Sequence, residues 1–178
     1  LYVSLFAFTQ PGDGVIVQTP AYHHFIGATE HTGRRVLENR LLVDEKGYYT
    51  IDFVDLEEKA KDAKMMFLCS PHNPSGRVFT TEELKRIGDI CLKHNVLVVS
   101  DEIHFDIIMP GHKHVSYPTL GEKYANNCVM CCAASKTFSL AGLCVANAII
   151  PNPELRDKLN NEVNISGCYT YSIFGLRA

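Results

Sequence analysis

The stretch "MMFLCSPHNPSGRVFTTEELKRIGDICLKHNVLVVSDEI", residues 65–103, decides the fold. It opens on an apolar run, "MMFLCSP" (65–71), and closes on another, "NVLVVSDEI" (95–103), each ended by polar residues. Runs that are apolar on both alternating faces suit strands covered on both sides. Between them, Thr80 stands three residues before Glu83, the spacing of a capping box, and Leu84, Ile87, Cys91 and Leu92 follow at helical intervals. That predicts an amphipathic helix whose start is marked.

The same alternation extends in both directions. Upstream, "GVIVQTP" (14–20) follows the turn "PGDG" and predicts another strand, while "IDFVDLEEKAKDA" (51–63) predicts a helix with Asp52 as candidate cap. Downstream, "NCVMCCAA" (127–134) and "CVANAII" (144–150) are joined by only about ten residues, too few for a helical crossover, so they are expected to pair antiparallel. The expected fold class is therefore α/β: a mixed, mostly parallel sheet with helices on both faces. No repeat, low-complexity tract or linker divides residues 1–178. The chain opens on "LYVSLFAF" and closes on "SIFGLRA", both with the pattern of a helix interior, so it is expected to be part of a longer protein.

Composition narrows the partners. With 178 residues, 46% of them hydrophobic, the chain can bury a substantial core. A formal net charge of -3, with no basic cluster longer than Arg34 and Arg35, gives no electrostatic footprint for nucleic acid or an anionic membrane, and neither is expected as a partner. No apolar stretch reaches the roughly 18–20 residues of a membrane span, and no signal-like segment opens the chain, so a cytoplasmic setting is expected. The seven cysteines fall mostly inside apolar runs and read as reduced, buried thiols. Cys128 and Cys131 lack a second pair at zinc-like spacing, so no metal site is expected. The pairs His23–His24 and His112–His114 read as solvated loop residues.

Ligands of open α/β sheets sit beyond the carboxyl ends of the strands. Four of the predicted strands end in "TPAYHHF", "CSPHNPSGRVF", "SDEIHFD" and "AASKTFSLAGL". Singly, each has a bland reading: a tyrosine after a proline packs, an asparagine between prolines shapes a turn, an aspartate caps a helix, a loop lysine is solvated. Together and in this order, they resemble the signature of the fold-type I pyridoxal-phosphate enzymes, the aspartate-aminotransferase superfamily. Within it the chain is most similar to the MalY/PatB-like cystathionine β-lyase branch, through "SPHNPSGRV", "SDEIHFD" and "SKTFSLAGL".

The resemblance implies pyridoxal 5'-phosphate as cofactor and assigns roles. Lys136 takes the place of the Schiff-base lysine and catalytic base, kept partly neutral by burial and the cationic cofactor. Asp101 matches the partner of the pyridinium nitrogen, Asn73 the donor to the phenolic oxygen, and Tyr22 and Ile103 the two covers of the ring. Ser135 is the candidate phosphate contact. His104 stands where many aminotransferases carry a tyrosine, and "DEIH" favours the carbon–sulfur lyases. Ala133 and Cys144 depart from a serine and an arginine of the wider family, although "A-x-S-K-T-F" is usual in the lyase branch.

By the same resemblance, residues 1–178 are the central part of the large cofactor-binding domain. An upstream phosphate-binding turn and a C-terminal small domain with the substrate-carboxylate arginine lie outside the chain, which alone is expected to be inactive. The parent is expected to be a homodimer acting on a small amino-acid substrate. Three functions stay open: a lyase splitting cystathionine or a cysteine S-conjugate into thiol, pyruvate and ammonia; an aminotransferase; and a non-catalytic binding or regulatory module on the same fold.

Overall fold

The computed structural model describes residues 1–168 and 174–175. In chain order it contains α1 (Tyr2–Phe8), β1 (Gly14–Thr19), α2 (His23–His31), β2 (Arg35–Arg40), β3 (Leu42–Val43), β4 (Tyr49–Thr50), α3 (Phe53–Ala60) and β5 (Ala63–Cys69). There follow α4 (Thr81–Lys93), β6 (Leu97–Asp101), α5 (Glu122–Ala125), β7 (Cys128–Cys132), α6 (Ala134–Thr137), β8 (Asn147–Ile149) and α7 (Pro153–Ile165). Six strands form one sheet in the order β2-β1-β5-β6-β7-β8. All neighbours are parallel except β7 and β8, which run antiparallel as expected.

Strand alternation sends successive side chains to opposite faces, and each face is covered by its own helices. Ile16, Met66, Leu68, Val98 and Met130 pack with Leu56 and Ala60 of α3 and Leu84, Ile87 and Cys91 of α4. On the other face Val15, Val17, Met65, Phe67, Val99 and Val129 pack with Leu5 of α1, Phe25 and Ala28 of α2 and Leu159 of α7. The mixed α/β sheet with helices on both faces is thus borne out, as a direct consequence of strands that are apolar on both sides.

The predicted caps are in place. Asp52 accepts hydrogen bonds from the backbone N–H groups of Val54 and Asp55, both at 3.0 Å. Thr80 Oγ1 accepts from Glu83 N at 3.1 Å, and Glu83 Oε2 accepts from Thr80 N at 2.8 Å. Glu83 also receives Arg77 Nη2 on both oxygens, at 2.7 and 2.6 Å, which ties the loop after β5 to the start of α4. Of the terminal "SIFGLRA", only Phe174 and Gly175 are described, in a turn, so the helix expected there lies outside the described residues.

Two expectations are corrected. His23 and His24 are exposed but belong to the first turn of α2, not to a loop. His114 is not a solvated loop residue: its side chain is largely buried and its Nε2 lies 2.8 Å from Glu102 Oε2. A carboxylate fully withdrawn from water has to find such partners, and His114 is one of them.

Candidate active site

The carboxyl ends of β1, β5, β6 and β7 all open to one end of the sheet, and the residues that follow them meet there. Tyr22, Asn73, Asp101, Ile103, His104, Ser135 and Lys136 line a single cavity of about 280 Å³, with Phe25, Cys69, Ala133 and Cys144 also on its wall. Each is set there by local structure. Tyr22 is the N-cap of α2, with its ring edge-on to Phe25 at 5.9 Å between centroids. Asn73 sits in a loop closed by two backbone hydrogen bonds, His72 N to Arg77 O at 2.7 Å and Gly76 N to His72 O at 2.8 Å. Asp101 is the last residue of β6, while Ser135 and Lys136 lie in α6, one turn past the end of β7.

Asp101 is half-buried, and its Oδ1 accepts a hydrogen bond from Ile103 N at 3.1 Å. Burial pushes its carboxyl above the ordinary carboxylate range, against the weaker opposing pull of that N–H. A carboxylate so placed lacks a full charge partner, and a cation delivered into the cavity would supply one. Among the described residues Lys136 is exposed, on the single turn α6.

One group escaped the sequence reading. Glu102, between Asp101 and Ile103, is fully buried. Its Oε1 accepts from Ser100 Oγ at 3.0 Å and Tyr117 N at 2.8 Å, and its Oε2 pairs with His114 Nε2. These bonds staple the end of β6 to the returning loop and so fix the backbone on either side of Asp101. The only local signal was an acid directly after an apolar run; the partners lie up to fifteen residues away.

His72 is the second omission. It is buried beside Asn73, with Nδ1 2.7 Å from Ser75 Oγ, and burial holds its pKa down at about 4. It therefore stands neutral at physiological pH and braces the loop that carries Asn73. A larger hollow of about 780 Å³ adjoins the site through Asn73 and His104, but no lysine or carboxylate is among the described residues lining it.

That cavity brings together a primary amine, a carboxyl pushed up by burial, a side-chain amide, an aromatic ring and a small hydroxyl. This donor set fits a flat, phosphorylated aldehyde with a cationic ring nitrogen, such as pyridoxal phosphate: an amine for the aldehyde, a carboxylate for the ring cation, a ring and an isoleucine for its faces. Ala133 and Cys144 contribute no phosphate ligand at their positions.

Comparison with known proteins agrees with this geometry. The family model for aminotransferase class I and II matches residues 1–173. Cystathionine beta-lyase PatB of Bacillus subtilis is 43% identical over 180 residues, spanning 100% of this chain and 46% of PatB. The crystal structure of cystalysin from Treponema denticola, which contains pyridoxal 5'-phosphate, superposes with a TM-score of 0.95 at 40% identity, covering 99% of this chain and 45% of that one. Kynurenine–oxoglutarate transaminase 3 of Mus musculus is 32% identical over 150 residues, 80% of this chain and 33% of the mouse protein. The chain thus spans less than half the length of each of these relatives. Sheet order, strand-end residues and the family match concur: the chain belongs to the aminotransferase class I and II family.

Proposed function

We propose that the protein is a pyridoxal-phosphate-dependent carbon–sulfur β-lyase acting on cystathionine or a related cysteine S-conjugate, and that residues 1–178 are the central part of its large cofactor-binding domain. The observation that carries this reading is the meeting of Lys136 and Asp101 in one cavity with Tyr22, Asn73, Ile103, His104 and Ser135. The likeness to PatB and cystalysin supports the lyase branch.

When bound, pyridoxal phosphate supplies an electron sink for the carbon next to the substrate amine. Lys136 Nζ would hold the cofactor through its aldehyde and, once free, would take the proton from the substrate's Cα. Asp101 would support a proton on the ring nitrogen, Asn73 would donate its amide N–H to the cofactor's ring oxygen, Tyr22 and Ile103 would cover the ring, and Ser135 would contact the phosphate. The substrate's Cα–H bond would break first and its Cβ–S bond second, sulfur leaving as thiolate, and addition of water to the remaining three-carbon fragment would give pyruvate and ammonia.

His104, at the cavity wall, stands where many aminotransferases carry a tyrosine, and that resemblance favours elimination over transamination. Aminotransfer is the second reading, supported by the mouse transaminase. We also infer a homodimer, supported by the open side of the site, where Phe138 and Leu140 are exposed beside Lys136. A cytoplasmic setting is supported by seven free cysteines.

The test is to give the full-length protein pyridoxal phosphate and L-cystathionine without any keto acid. Equal amounts of pyruvate and thiol, released over many turnovers, are the expected result. Product that forms only after a keto acid is added, as a new amino acid, would replace the lyase with the aminotransferase.

A further inference from the structure

The sheet register places a thiol on each side of Asp101. Cys69 of β5 and Cys131 of β7 are its parallel partners at the same level. All three point to the same face, one step beyond the apolar row Phe67, Val99 and Val129. A carboxylate with two flanking side chains would ordinarily draw hydrogen bonds from both. Here it draws none from them: the Cys69 S–H is directed to Pro71 O at 3.3 Å, and Asp101 accepts from Ile103 N alone among the described residues.

We propose that Cys69 and Cys131 are positioning residues that act through Asp101: as weak donors they leave the outward oxygen of its carboxylate unengaged, reserved for a cationic ring nitrogen. This inference rests on the pyridoxal-phosphate reading above. A serine at either place is nearly isosteric but a strong donor, and its hydroxyl would satisfy the carboxylate in advance. A competing hydrogen bond of this kind stabilises the unloaded site and weakens the ion pair with the ring. Both thiols stay protonated and uncharged beside the acid, since burial pushes Cys69 up to about 12 and Cys131 up to about 11. The other charged or titratable groups acting on Asp101 are Glu102 and His104.

The experiment compares Cys131→Ser with Cys131→Ala, and Cys69→Ser with Cys69→Ala, in the full-length protein. Two quantities are read: the dissociation constant of pyridoxal phosphate, and the protonation of its ring nitrogen by NMR of ¹⁵N-labelled cofactor. The alanine variants, which like the thiols offer the carboxylate no strong donor, are expected to keep the ring nitrogen protonated as in the parent. The serine variants are expected to bind roughly 3- to 10-fold more weakly, as one competing hydrogen bond implies, with the ring nitrogen shifted toward its unprotonated position. Thermal melting of each variant accounts for folding losses, and the nitrogen resonance reports only on folded, loaded protein. Serine and alanine variants that behave alike would overturn the proposal. An Asp101→Asn control that leaves the nitrogen protonated would instead overturn the cofactor reading beneath it.

Discussion

The end of β6 is built from the inside of the molecule, whereas the connection from β7 to β8 is laid on its outside. At the first, Glu102 is fully buried with three hydrogen-bonding partners, and Asp101 is half-buried over an apolar row. In the second, no residue from 134 to 149 is buried, Lys136 included. The acid of the proposed site is therefore held by core packing at a desolvation cost, while the amine is placed by one turn of backbone. Stability and chemistry should be coupled on the acid side and separable on the amine side.

The sharpest way to break this contrast is Lys136→Ala. The expected loss of lyase turnover is at least about 10³-fold, since in the proposed function one side chain would both hold the cofactor and move the proton. Unfolding free energy should change by less than about 0.5 kcal/mol, as for other exposed sites; a large loss in a urea titration would contradict the exposed placement.

Asp101→Asn should lower kcat/KM by about 10²- to 10³-fold, the scale of losing one charged contact to the reacting system. Its effect on the cofactor-free protein runs the other way. The folded-state pKa of Asp101 is raised, so the folded protein binds more protons than the unfolded one between the two values, and stability falls as pH rises through that window. The asparagine variant should therefore melt at or above the parent's temperature at pH 7, and the difference should vanish once both states are protonated in acid.

Glu102→Ala sharpens the comparison from within the core. It would strand Ser100 Oγ, Tyr117 N and His114 without their acceptor, at a cost of about 3 kcal/mol measured by denaturant unfolding. Cofactor affinity should fall with it, because Asp101 and Ile103 flank the lost staple.

The smallest effect is expected at His72. Its pKa is depressed to about 4, so stability is retained above its unfolded value and lost as pH falls toward the folded one. Between about pH 6.5 and 5 this amounts to roughly 2 kcal/mol, and a His72→Asn variant should show a flatter profile over that range.

Much of this is legible in the sequence. Parallel strands buried on both faces write themselves as apolar runs, which is why β1, β5, β6 and β7 and the residues at their ends could be read directly. The antiparallel β8 followed from the short connection before it. What escaped lies where burial is partial. In β2, "RVLENR" buries only Asn39, and α7 buries only Leu159, so neither carries a strong period. The short α2 buries Phe25, Ala28 and Thr29 but opens on two exposed histidines that look like loop. The Glu102–His114 pair spans twelve residues and has no local signature.

The central claim is that Lys136 is the amine that holds the cofactor. It is tested most directly by reducing the full-length protein with borohydride in the presence of pyridoxal phosphate, then mapping the pyridoxyl mass by proteolysis and mass spectrometry. A single fully labelled peptide containing Lys136 is the predicted result. A label on another lysine, such as the exposed Lys113, with Lys136 unmodified, would contradict it.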